Sequence, residues 1–287
     1  MNNATFEYGS EVRGRGEPTQ EDEIVGLLSF VLAGCAVFLG IVNLYFIRKV
    51  KIFHTAFGWF WGSRTVGEML VEAVHVVYNA PVTLMQPVGI SIPVGMIPFF
   101  FMYVGSVSAC IMHMTIAVNR CFAMYAPLQY NFVFKKKHSI ALIVFSWANC
   151  FLIAPAFVVI PCNLIGYSPK LYEYAFIRCE ENPDLDASII GSVLNRFCFL
   201  ICAMTLFVDC TTLGRIVYLS KSSFQNVIMI FAAGIAAYVN NQSDPRMKVL
   251  NLLEYLTLML THVANPFVFV TFYKQITLIF EAVINRI

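Results

Sequence analysis

Charge is what this chain has least of. Asp, Glu, Lys and Arg supply 13% of its 287 residues, against 59% hydrophobic, about half the charged share of an ordinary soluble domain. A soluble core of this length cannot absorb so much apolar surface, so a soluble globular fold is excluded and a membrane protein is expected. The formal net charge is only +2, which gives nucleic acid no basic footprint to bind. Also missing are internal repeats, low-complexity segments and an apolar run ahead of residue 24. Without that run no cleaved signal peptide is expected, and the first span is expected to act as its own signal. No glycine-rich phosphate loop, His-rich metal motif or nucleophile–base arrangement stands out. The chain is therefore not expected to be an enzyme or to hold a cofactor or a metal.

What the chain does have is a succession of long, mostly uncharged runs. Seven spans are expected, at about 24–47, 55–80, 92–118, 139–160, 188–213, 222–240 and 249–272, each long enough to cross roughly 30 Å of hydrocarbon as a helix. The expected fold is all-α: a seven-transmembrane helix bundle with its N-terminus outside. Residues 1–23 form the extracellular N-terminus. Residues 273–287, with Ile276, Ile279, Phe280, Val283 and Ile284 near helical spacing, form a short amphipathic helix on the cytoplasmic membrane face.

Charge sorting sets the orientation. Arg48, Lys49, Lys51, Arg120, Lys135, Lys136, Lys137, Arg215, Lys221, Lys274 and Arg286 fall on the inner side against the single acid Glu281, as the positive-inside rule requires. The outer segments are acid-rich, with Glu7, Glu11, Glu17, Glu21, Asp22 and Glu23 ahead of the first span and Glu173, Glu180, Glu181, Asp184 and Asp186 before the fifth. Two glycosylation sequons, at Asn3 and Asn241, fall outside as well.

Of nine cysteines only Cys162 and Cys179 lie in an outer, oxidising loop. A disulfide between them would pin that loop over the mouth of the bundle; the alternative is two free thiols. Cys198 and Cys202 stand one turn apart, but no His or acid completes a metal set, so they read as packing or lipid-facing residues. In the second span Arg64, Glu68 and Glu72 follow i, i+4, i+8 and share one helix face. Charges at this depth face a polar interior. They mark an ion or proton site or a switch between helices, or else an Arg64–Glu68 pair that neutralises itself with Glu72 turned to a water pocket. Arg196 and Asp209 in the fifth span and Glu254 in the seventh raise the same question. Arg196 and Glu254 lie toward the outer side, where a ligand cavity would open or where each would snorkel to the interface. His75, His113 and His262 are isolated and read as packed histidines. The seventh span contains no lysine, so it has no amine for a retinal Schiff base.

Several motifs in order resemble those of rhodopsin-like G-protein-coupled receptors, and in particular the nematode serpentine chemoreceptors of class x. Gly40-Ile41-Val42-Asn43 resembles the Gly-x-x-Asn of the first helix, and Glu68 within SRTVGEML stands at the acid position of the second. Asn119-Arg120-Cys121 occupies the place of Asp-Arg-Tyr, followed by AMYAPLQYNFVFKKK, which is similar to the class-x pattern of proline, leucine and tyrosine ahead of a basic loop. Trp147 matches the tryptophan of the fourth helix, and Asn265-Pro266-Phe267-Val268-Phe269 the Asn-Pro-x-x-Tyr of the seventh.

The resemblance implies a receptor that binds a small molecule in its outer half. Met102, Tyr103 and Ser106, with Arg196 and Glu254, would be the ligand-binding residues. A heterotrimeric G protein would be admitted at the cytoplasmic face around Arg120, with Asn119, Asn265, Pro266 and Phe269 as switch positions and Asn43, Glu68 and Glu72 as the intramembrane polar set. It also implies the plasma or ciliary membrane of sensory neurons, with membrane lipid around it. Departures carry expectations too. Asn119 in place of the acid removes a partner for Arg120; Phe269 lacks a tyrosine hydroxyl. Gly95 in place of cysteine leaves Cys162–Cys179 as the outer bridge, and Met102 in place of aspartate argues against a biogenic amine. The loop between the fifth and sixth spans is short where the family has a basic helical extension. Two other readings compete: a channel or transporter with its polar path at Arg64, Glu68 and Glu72, and a non-signalling receptor remnant.

Overall fold

A computed structural model describes residues 8–155, 157, 164–177 and 189–219. The expected sixth and seventh spans, the amphipathic tail, and Asn3, Cys162, Cys179, Asn241, Glu254, Asn265, Pro266 and Phe269 lie outside the described residues. The helices are α1 (Gln20–Lys49), α2 (Ala56–Val74), α3 (Ala80–Met85), α4 (Ile92–Tyr125), α5 (Pro127–Val133), α6 (Lys136–Ile153) and α7 (Ile189–Leu219). Among the described residues, α1 and α4 are long and apolar enough to cross a membrane by length and composition.

Polarity runs opposite to that of a soluble protein. On α1 the exposed side chains include Leu27, Phe30, Val31, Phe38, Ile41 and Tyr45, while Ser29 and Asn43 are buried. On α6 Val144, Phe145, Phe151 and Leu152 are exposed and Ser139 and Ser146 are buried. Contiguous exposed apolar faces of this kind belong against lipid. In lipid the hydrophobic effect cannot drive helices together, so close packing and hydrogen bonds must. The glycines answer that need: a Cβ on Gly105 would sit 2.8 Å from the Gly67 carbonyl oxygen, so α2 and α4 meet almost backbone to backbone.

Hydrogen bonds then fix the register. Asn43 Nδ2 donates to Thr65 Oγ1 at 2.8 Å, tying α1 to α2. Trp147 Nε1 donates to Ser63 Oγ at 2.9 Å, tying α6 to α2. Near the basic ends of the helices, Phe53, Phe60, Trp61, Met112 and Ile116 form an apolar cluster with Phe134 packed against it.

Several boundaries differ from the sequence reading, each for a local reason. α1 begins earlier, because Thr19 and Asp22 close a capping box on its first turn. The second span does not stop before Pro81. A π turn at His75–Asn79 widens the helix, and Pro81 then enters the first turn of α3, where a missing N–H is harmless. Gln86, at φ 45°, ends that run. The third span continues to Tyr125, and the fifth to Leu219, six residues past the expected Leu213. Nor is the described fold purely helical. β1 (Ile165–Ser168) and β2 (Glu173–Phe176) form an antiparallel hairpin with Ile165 opposite Phe176 and Ser168 opposite Glu173.

The hairpin and the N-terminal segment together cover the outer end. Val12, fully buried, packs with Met96 and Ile177. Gly14 N donates to the Pro87 carbonyl and Gly16 N to that of Gln86. Gln86 Nε2 donates to Asp22 Oδ1 at 2.9 Å and to the Pro169 carbonyl at 3.0 Å. The buried Asp22 carboxylate also accepts from Arg15 Nη1 and, at 2.6 Å, from the Tyr172 hydroxyl. Burial first, and then the bond to Asp22, push the Tyr172 hydroxyl up to about 12.

Candidate functional site

The site grows from α4 and α7. The two helices run in the same direction and touch along their length: Thr205 Oγ1 donates to Met114 Sδ at 3.3 Å, and Tyr125 donates its hydroxyl proton to the Thr211 carbonyl at 3.1 Å. Between these contacts Arg120 Nη2 meets Asp209 Oδ1 at 2.7 Å. Asp209 is 11% exposed and Arg120 36%, so one face of the pair is sheltered and the other open. His113 adds a third polar group, its Nε2 3.8 Å from Asp209 Oδ2.

Asn119, expected to leave Arg120 without a neighbouring acid, is directed elsewhere. Its side chain is buried and Nδ2 donates to the Tyr130 hydroxyl on α5 at 3.2 Å. Tyr130 in turn stacks near Phe134, which packs on Phe60 and Phe122. The asparagine thus anchors the short helix after α4, and the acid for Arg120 comes from α7 instead. The sequence reading noticed Asp209 as a charge inside a span without giving it a partner. The available signal was depth: Asp209 sits near the basic end of its run, as Arg120 does of its own.

A model of the serpentine type 7TM GPCR chemoreceptor Srx family matches residues 30–229. The chain belongs to the Srx chemoreceptor family. It is accordingly a GPCR-like chemosensory receptor and a multi-pass, helical membrane protein, of a family that is not enzymatic. Among curated proteins there is no match. The match begins within α1 and takes in every described helix from α2 through α7.

The other expected positions of the receptor fall into two groups. In the outer half, the Tyr103 ring lies 4.9 Å from Phe157 and 6.2 Å from Phe99, and Phe99 lies 5.4 Å from Tyr174 of the hairpin. Tyr174 donates to Asn79 Oδ1 at 2.9 Å, and Asn79 is bonded to His75 Nδ1 across the π turn. Met102 is half-buried and Ser106 is exposed; neither joins that aromatic group. Arg196, on α7, is exposed. Sequence reasoning missed Phe99, Phe157 and the hairpin tyrosines, since only the fold of the outer loop brings them over Tyr103.

Deeper in α2, Arg64 Nε donates to Glu68 Oε1 at 2.7 Å, and its guanidinium lies over the Trp61 ring at 5.5 Å. Glu68 and Glu72 are both buried. Arg64 and Glu68 therefore offset each other's charge within one helix turn, at the level where α2 packs most closely on α4.

Proposed function

We propose that this receptor binds a small, uncharged ligand in its outer half and signals to a heterotrimeric G protein through the cytoplasmic face around Arg120. The observation that carries the proposal is the Arg120–Asp209 pair, which joins α4 to α7 across their interface. Two charges held together in one packing and parted in another make a bistable element that a ligand can bias. The ligand region is assigned to Tyr103 with Met102 and Ser106. The aromatic rings of Phe99, Phe157 and Tyr174 around Tyr103 suit an apolar or aromatic molecule.

The wider proposal is a seven-helix receptor with its N-terminus outside, in the plasma or ciliary membrane, with lipid around it. The capped end, built from the acid-rich N-terminus and the hairpin, fits the outer side. The end bearing Arg48, Lys49 and Lys135–Lys137 fits the cytoplasm. Asn265, Pro266 and Phe269 are proposed as switch positions, Arg196 and Glu254 as outer polar contacts, and Asn3 and Asn241 as glycan acceptors. Cys162 and Cys179 are proposed as a disulfide. What supports the bridge is sequence spacing: Cys162 comes three residues before Ile165 and Cys179 three after Phe176, a pair that the hairpin joins.

The ion path drawn through Arg64, Glu68 and Glu72 gains no support from an Arg64 whose guanidinium is engaged by Glu68 and Trp61. The test of the receptor reading is G-protein activation by a panel of volatile and soluble small molecules in cells displaying the protein. An activator found in wild type should fail on Arg120→Ala at equal surface level; undiminished activation in that variant would overturn the proposal.

A further inference from the structure

The α4–α7 interface holds a second pair that the receptor reading does not use. Cys110 of α4 and Cys202 of α7 face each other with their sulfurs 3.5 Å apart. Cys110 is half-buried and Cys202 exposed, and both are free thiols. A disulfide needs its sulfurs about 2.05 Å apart, so a closure of roughly 1.5 Å, within the reach of small side-chain and helix adjustments, would join them. Nothing in the local chemistry suggests a metal instead: among the described residues no group of three or more His, Cys, Asp or Glu is placed to hold one.

We infer that Cys110 and Cys202 are a reversible dithiol–disulfide site that links α4 to α7 when the receptor meets a hydroperoxide. Cys202, the exposed partner, is the thiol an oxidant reaches first, and Cys110 is the resolving thiol beside it. The Cys202 sulfur attacks the terminal peroxide oxygen and the O–O bond breaks. The thiol proton goes to the departing oxygen, giving an alcohol and a Cys202 sulfenic acid. The Cys110 sulfur then displaces that hydroxyl, which leaves as water with the Cys110 proton. In sum, two thiols lose two electrons and two protons, and one hydroperoxide becomes an alcohol and water. A dithiol reductant reverses the bond by thiol–disulfide exchange. The exposed apolar side chain of Phe199, one turn from Cys202 on the same side of α7, favours an oxidant that partitions into the bilayer. The bond would hold α4 against α7 on the outer side of Arg120 and Asp209.

The experiment uses the full-length protein in native membranes, exposed to cumene hydroperoxide, then denatured with free thiols blocked by N-ethylmaleimide. Peptides are mapped by mass spectrometry without reduction. The expected result is a linked Cys110–Cys202 peptide that rises at least tenfold over untreated membranes and disappears with dithiothreitol. Recovery of both cysteines as maleimide adducts, while other cysteines of the chain are oxidised, would overturn the inference. So would a bridge from Cys202 to another cysteine in place of Cys110. Because the wild-type chain is mapped, the result does not depend on a variant folding. It also does not depend on any G-protein readout, so it stands or falls apart from the signalling proposal.

Discussion

Replacing Asp209 by asparagine removes the charge opposite Arg120 and keeps the side-chain volume, so it isolates the ion pair. The contact is a single charge-assisted bond at 2.7 Å with Asp209 sheltered and Arg120 about a third exposed. A fully exposed pair contributes about 0.2–1 kcal/mol, and breaking a fully buried one costs about 3–5 kcal/mol. This pair lies between those limits, and solvent at Arg120 screens it, so about 1–2 kcal/mol is the expected loss to the packing that contains it. If that packing is the resting one, such a loss shifts the balance of states by a factor of about 5–30. Basal nucleotide exchange on the partner G protein should therefore rise severalfold in Asp209→Asn membranes, measured against surface-labelled receptor. Adding Arg120→Ala should abolish the rise, because the coupling cation is then gone. Normal surface display with unchanged basal exchange in Asp209→Asn would refute the assignment of the pair as a resting-state contact.

Three other perturbations test the architecture. Cys162→Ser or Cys179→Ser should lower thermal stability of the outer cap, because closing the 18-residue loop from Cys162 to Cys179 is worth about 3 kcal/mol; non-reducing peptide mapping should show the bridge in wild type, and two alkylated thiols there would exclude it. Gly105→Ala places a methyl 2.8 Å from the Gly67 carbonyl oxygen and should cost about 1–3 kcal/mol by spreading α2 from α4, read as a lower melting temperature in detergent. Tyr172, raised from the usual 10 to about 12, favours the folded cap while it keeps its proton. That contribution is complete below pH 10 and should fade as pH rises through about 12. Tyr172→Phe should flatten this alkaline limb in a thermal-shift series, and an unchanged limb would exclude Tyr172 as its source.

Much of the membrane character was legible from composition, because exclusion of charge from long runs is imposed by hydrocarbon whatever the packing. The cross-links Asn43–Thr65 and Trp147–Ser63 involve positions that motif resemblance had singled out or bracketed. Other features depend on contacts between distant segments, which periodicity does not report. Asp209 and Arg120 are 89 residues apart, and Gln86 and Asp22 are 64 apart; neither pairing follows from a local pattern. The π turn before Pro81 is different. A proline inside an apolar run reads as a stop, yet a widened turn ahead of it let the helix continue. The hairpin escaped notice because its four-residue strands sit in a polar loop, where alternation is too brief to register.

Orientation of the Arg120 end is the claim on which the rest depends, and a tag inserted between Phe134 and Lys135 measures it directly. Paired with a second tag ahead of Tyr8, the account predicts antibody staining of the N-terminal tag on intact cells and of the inner tag only after permeabilisation. Staining of the inner tag on intact cells would put Arg120 and Asp209 on the wrong side of the membrane for a G protein and contradict the account.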